Sequence, residues 1–108
     1  QVDRLNTWNR YKKGLEYLSS KGLISLPTVP SDCTNNAHMF YIKVRDLKER
    51  ESLIKYLKQN DINAVFHYVP LHTALAGEKF GEFNGVDQFT TIESERLIHL
   101  TLYYCLEN

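Results

Sequence analysis

The stretch from His38 to Arg45 constrains the fold most, because Phe40, Ile42 and Val44 alternate strictly with Tyr41, Lys43 and Arg45. A period of two puts the apolar residues on one face of an extended chain and the polar ones on the other, so this segment predicts a half-buried strand. The period then changes at once. From Leu47 to Gln59 the residues Leu53, Ile54 and Leu57 recur at helical spacing, and Asp46 stands where it can cap the first turn. The pairs Asp46–Arg50 and Glu51–Lys55 lie one turn apart, which predicts a solvated helix face rather than a binding patch. A strand feeding directly into an amphipathic helix calls for a sheet with helices laid on it.

The remaining segments fit that plan. Leu5, Trp8, Tyr11 or Lys12, Leu15 and Leu18 predict an amphipathic helix over residues 3 to 20, with Arg4, Arg10, Lys13 and Glu16 on its other face and Gly22 as its stop. A short strand is expected at Leu23–Leu26, ended by Pro27, then a loop containing Pro30, Ser31, Asp32, Asn35 and Asn36. Asn60-Asp61 closes the second helix, and Ile62–Tyr68 predicts a returning strand. Residues 70 to 89 carry Gly77, Gly81 and Gly85 without sustained apolar period and read as a long loop, of the kind that tends to be functional. Thr90 and Glu93 have capping-box spacing for a third helix running to about Leu100. The fold class is therefore α+β, a small antiparallel or mixed sheet with helices packed on one face, in one domain over residues 1–108.

Charge and cysteine content narrow the functions. Thirteen basic and thirteen acidic residues balance, so no net field draws in nucleic acid or an anionic membrane. Cys33 and Cys105 are far apart and in no metal-ligand spacing, a usage that fits a reducing, cytoplasmic setting. No signal peptide or membrane span is visible. The only methionine, Met39, is internal, and the apolar run Leu100, Leu102, Tyr103, Tyr104 and Leu106 ends abruptly; the chain is expected to be a piece of a larger protein.

Candidate chemistry centres on His67-Tyr68-Val69-Pro70-Leu71-His72. Pro70 stiffens the backbone between the two imidazoles and pushes Val69 towards an extended form. No carboxylate or thiolate lies near enough in sequence to complete a metal set, and no serine or cysteine has the setting of an activated nucleophile. No phosphate-cradling glycine loop is present. His67, Tyr68 and His72 instead suit recognition of phosphate or hydroxyl-rich ligands by hydrogen bonding, with Lys79 as a mobile ammonium. His38 is a further candidate at the head of the central strand, while His99, placed near the end of the third helix, is expected to be structural. Incidental exposure at a strand end explains the same residues equally well.

The ordered set Asn36-Ala37-His38-Met39-Phe40-Tyr41-Ile42, Asp61 to His72, Ala76-Gly77-Glu78 and Ser94-Glu95-Arg96-Leu97, with Trp8 and Tyr11 in the opening helix, resembles the C-terminal small domain of sugar-nucleotide aminotransferases of the DegT/DnrJ/EryC1/StrS type. Two positions depart from that pattern: Asp61 stands where glycine is usual, and Thr101 where proline is usual. The resemblance implies the small domain of a fold-type I pyridoxal-phosphate enzyme. It also implies a missing large domain that holds the cofactor through a lysine and the transfer of an amino group from glutamate to a nucleotide-linked keto sugar, of the TDP-4-keto-6-deoxy type, for cell-surface polysaccharide. A homodimer is implied when full length, and no catalysis by this chain alone. His67, Tyr68, His72 and, more weakly, His38 would face the substrate. A free-standing α+β ligand-binding or regulatory module is the alternative.

Overall fold

The computed structural model describes residues 1–106 and has the element order α1 (Val2–Ser20), β1 (Phe40–Lys43), α2 (Leu47–Gln59), β2 (Val65–Phe66), a 3-10 turn (Leu71–Thr73), α3 (Leu75–Phe80), α4 (Thr90–Arg96) and β3 (Leu97–Leu100). The three strands form one antiparallel sheet in the order β1-β3-β2, so the last strand in sequence is the central one. This is the α+β arrangement that the alternation at β1 and the cap at Asp46 predict. Asp46 Oδ1 accepts the Glu49 amide at 2.9 Å, and Glu49 Oε2 accepts the Arg45 amide at 2.7 Å, so the two carboxylates satisfy donors at the start of α2. The Glu49 amide bond is also the main reason the Asp46 carboxyl lies below the usual carboxylate range.

Phe40, Ile42, Val44, Ala64 and Ile98 form the core with Trp8 and Ala37. The register pairs Phe40 with Leu100 and Ile42 with Ile98, which gathers these side chains on one face. α1 lies on that face, with Trp8 edge-on to the Phe40 ring at 5.4 Å and Tyr11 stacked on it at 5.1 Å. Tyr11 also donates from its hydroxyl to the Thr101 carbonyl at 2.9 Å. Burial, then the nearby Tyr103, raises its pKa above the ordinary phenol value, which keeps the donor protonated. α2 adds Leu53, Ile54 and Leu57 to the same core.

Several expectations need correction. The third helix stops at Arg96, and Leu97–Leu100 is the central strand rather than a continuing helix. Four residues, Leu-Ile-His-Leu, satisfy either period, and pairing on both edges decides for strand. Arg96 marks the junction: its Nε donates to the Val44 carbonyl at 2.8 Å, and its own carbonyl accepts the Val44 amide at 2.9 Å. Thr90 makes no capping box. The cap position is Phe89, and Glu93 turns instead to Lys43 and Arg96, with Lys43 the first cause of its lowered pKa. Arg50 likewise leaves Asp46 for the Ser94 carbonyl, at 3.1 Å, and lies over the Phe66 ring. The expected strand at Leu23–Leu26 is reduced to one bridge, Ser25 with Lys43, and the strand at Ile62–Tyr68 to Val65–Phe66. Residues 70 to 89 are not all loop, since they contain the 3-10 turn and α3. Among the described residues no helix is long and apolar enough to cross a membrane.

Both departures from the aminotransferase pattern have local explanations. Asp61 follows the C-terminus of α2 with φ +62°, the left-handed region that glycine enters freely and aspartate tolerates better than most side chains. Thr101 donates from Oγ1 to the Asn63 carbonyl at 2.7 Å, tying the exit of β3 to the entry of β2. A proline there has no hydroxyl with which to make that link.

Candidate functional site

Two asparagines deliver His38 to the sheet. Asn35 Oδ1 accepts the Ala37 amide at 2.9 Å and Asn36 Oδ1 accepts the His38 amide at 3.0 Å, successive turns that carry buried Ala37 through φ +49°. His38 itself is exposed. On the sheet face opposite the core, the register sets Tyr41 and Val65 on either side of His99. His67, two residues beyond Val65, falls on this same face. Its ring lies 4.6 Å from that of His99 and 4.5 Å from that of Tyr68.

The corner after β2 is anchored by its backbone and open at its side chains. Ser94 Oγ on α4 donates to the Tyr68 carbonyl at 2.9 Å, while the Tyr68 side chain leaves the residue 77% exposed. The Pro70 carbonyl then accepts from the Thr73 amide at 3.0 Å, the Thr73 hydroxyl at 3.0 Å and the Ala74 amide at 3.1 Å, closing the 3-10 turn. A fixed main chain presenting free polar side chains is what recognition of a hydroxyl-rich or anionic ligand requires.

His72 is placed differently from His67 and Tyr68. Its Nε2 lies 2.8 Å from Asp87 Oδ2, both side chains being about 20% exposed, and its ring packs on Phe83 at 4.4 Å. The Thr91 hydroxyl and amide also donate to the Asp87 carboxylate. Asp87 thus ties the 3-10 turn to the start of α4 and pins both ends of the long connection. The Thr91 hydroxyl is the first cause of a pKa below the usual aspartate range, with the Thr91 amide and His72 adding to it. Because the folded value is depressed, this link is complete above the ordinary aspartate pKa and is lost as pH falls through the lower folded one. The sequence shows no sign of it, since Asp87 and Thr91 stand 15 and 19 residues beyond His72.

His99 is the residue that the sequence placed wrongly. It occupies the middle strand, not a helix end, and burial, followed by His67 and His38, holds its pKa below the usual histidine value. His67 and His99 are therefore neighbours, with Tyr41 and Tyr68 beside them, and His38 acts on His99 electrostatically. Among the described residues no group of three or more His, Cys, Asp or Glu is arranged to hold a metal.

The chain's own lysines do not fit as an anchor for an aldehyde cofactor. Such a lysine works from a desolvated pocket, whereas Lys43 is paired with Glu93 and Lys79 lies over Phe80 on the exposed helix α3. Lys12 and Lys21 lie over the rings of Trp8 and Tyr17, and none of the eight lysines is buried.

The fold recurs as a portion of solved aminotransferases. The aminotransferase TlmJ from Streptoalloteichus hindustanus matches with a TM-score of 0.80 at 21% identity, over 99% of this chain and 27% of that one. NtdA from Bacillus subtilis, solved with bound cofactor PMP, matches at 0.74 and 26% identity, over 94% and 23%. A DegT DnrJ EryC1 StrS aminotransferase from Brucella abortus matches at 0.70 and 20% identity, over 98% and 26%. The chain spans about a quarter of the length of each. The sequence profile of the DegT/DnrJ/EryC1/StrS aminotransferase family matches residues 1–107, and the chain belongs to that family.

Proposed function

We propose that this chain is the substrate-facing C-terminal domain of a pyridoxal-phosphate-dependent aminotransferase, and that His67, Tyr68 and His38 recognise a nucleotide-linked keto sugar. The observation that carries this reading is the anchored corner at Tyr68, where Ser94 fixes the main chain and the adjoining rings of His67 and Tyr68 are exposed, within a family match over residues 1–107. The cofactor supplies an electron sink for moving the amino group, and its covalent lysine belongs to sequence outside this chain. Here the residues orient substrate: exposed imidazoles and the Tyr68 phenol hydrogen-bond the sugar and its phosphates, while His72, held by Asp87, fixes the connection beside them.

The substrate favoured by the resemblance at residues 36–42 and 61–72 is TDP-4-keto-6-deoxyglucose, aminated from glutamate for enterobacterial common antigen in the cytoplasm by a homodimer. The full-length protein incubated with glutamate and TDP-4-keto-6-deoxyglucose is expected to release 2-oxoglutarate and a TDP-amino sugar in equal amounts. Release of 2-oxoglutarate that no keto sugar stimulates would remove the sugar-nucleotide assignment.

A further inference from the structure

We propose that His99 is a third recognition residue of this site, pairing with His67 to bind the diphosphate of a nucleoside-diphosphate-linked substrate; this rests on the sugar-nucleotide reading above. Three observations converge on it. The cross-strand register fixes His99 between Tyr41 and Val65 on the face opposite the core. The His67 ring lies 4.6 Å away at an interplanar angle of 33°, so the two imidazoles border one patch. The His99 Nε2 atom is shielded from solvent and has no hydrogen-bond partner among the described residues. A buried polar nitrogen without a partner calls for a ligand, a proton acceptor or a donor from elsewhere.

The surrounding charges select the ligand. From the segment before β1 comes His38, from β1 Tyr41, and from the corner after β2 His67 and Tyr68; the electrostatic influences on His99 come from His67 and His38. Lys43 on β1 lies two residues along the face from Tyr41 and is balanced by Glu93 of α4, which also meets Arg96. On the core face, Arg50 of α2 is occupied by the Ser94 carbonyl and Phe66. The patch therefore offers imidazoles and phenols, and protonating one imidazole raises the cost of protonating the next. An anion that parts the His67 and His99 rings and so uncovers His99 Nε2 removes that cost, since each ring can then donate to an oxygen. Binding takes up a proton near neutral pH, and the affinity rises as pH falls.

The test uses full-length protein and two probes, thymidine diphosphate and inorganic pyrophosphate, titrated calorimetrically between pH 6 and pH 8. For the unsubstituted protein, heats in buffers of different ionisation enthalpy should show net proton uptake, with tighter binding at pH 6. His99→Phe should weaken binding at pH 6 about tenfold, the size of one charge-assisted hydrogen bond. His99→Gln, which donates but does not titrate, should recover part of the affinity without the pH slope. If unsubstituted protein binds with no proton uptake, or both variants keep its affinity and slope while His67→Ala loses affinity, the role of His99 is overturned and the site stands. If His67→Ala and His99→Phe both bind as tightly as the parent, the substrate-facing reading falls with it.

Discussion

Replacing Phe40 by alanine is expected to remove a large share of the stability of this chain. Phe40 is fully buried, its ring meets Trp8 edge-on and stacks on Tyr11, both from α1, and it faces Leu100 across the β1–β3 ladder. Truncating such a residue forfeits the transfer energy of the ring and leaves a cavity that two aromatic neighbours cannot close, a cost of about 3–5 kcal/mol. Domains of this size have roughly 5–15 kcal/mol in total. Urea unfolding followed by circular dichroism should show the midpoint falling steeply with an unchanged slope. A loss below about 1 kcal/mol would mean that α1 does not depend on this ring for its place on the sheet.

The second large effect is local. A methyl group at Gly77 would stand 1.5 Å from the Leu71 carbonyl oxygen and 2.6 Å from its carbon, both backbone atoms, so no side-chain rotation relieves the clash. Gly77→Ala must drive α3 away from the 3-10 turn, and overpacking of this kind costs about 1–3 kcal/mol or more. Since α3 contributes no buried residue to the core, the damage should stay in the connection. Hydrogen exchange is expected to speed up at Glu78 and Gly81, whose amides close α3 onto the Ala74 and Gly77 carbonyls, while Ile42 and Ile98 keep their protection. Unchanged exchange at Glu78 and Gly81 would show that the close approach of α3 to Leu71 is not maintained.

The elements that the sequence reveals best are those whose signal is local. β1 shows as a strict alternation, and α2 carries its own start signal in Asp46 and Glu49, so both lie where the pattern places them. β3 was hidden because four residues are too few to separate the two periods, and its strand character comes from two partners distant in sequence. The same limit applies to the site. His67 and Tyr68 stand out beside Pro70, but the lock on His72 and the packing of His99 on His67 are tertiary facts. The capping-box spacing at Thr90 and Glu93 misled because Lys43 and Arg96 offer Glu93 stronger partners than a backbone amide. Asp61 shows the converse, a position whose usual glycine and observed φ of +62° agree although the residue differs.

Substitution at the corner after β2 tests the substrate-facing role most directly. In the full-length protein, His67→Ala and Tyr68→Phe should each weaken the Kd for the nucleotide sugar, about tenfold or more for the imidazole, because exposed rings on an anchored backbone lose ligand contacts without disturbing the core. The absorbance of bound pyridoxal phosphate should stay as in the unsubstituted protein. Nucleotide-sugar affinity unchanged in both variants, or a cofactor spectrum altered along with it, would contradict the assignment of this face to substrate.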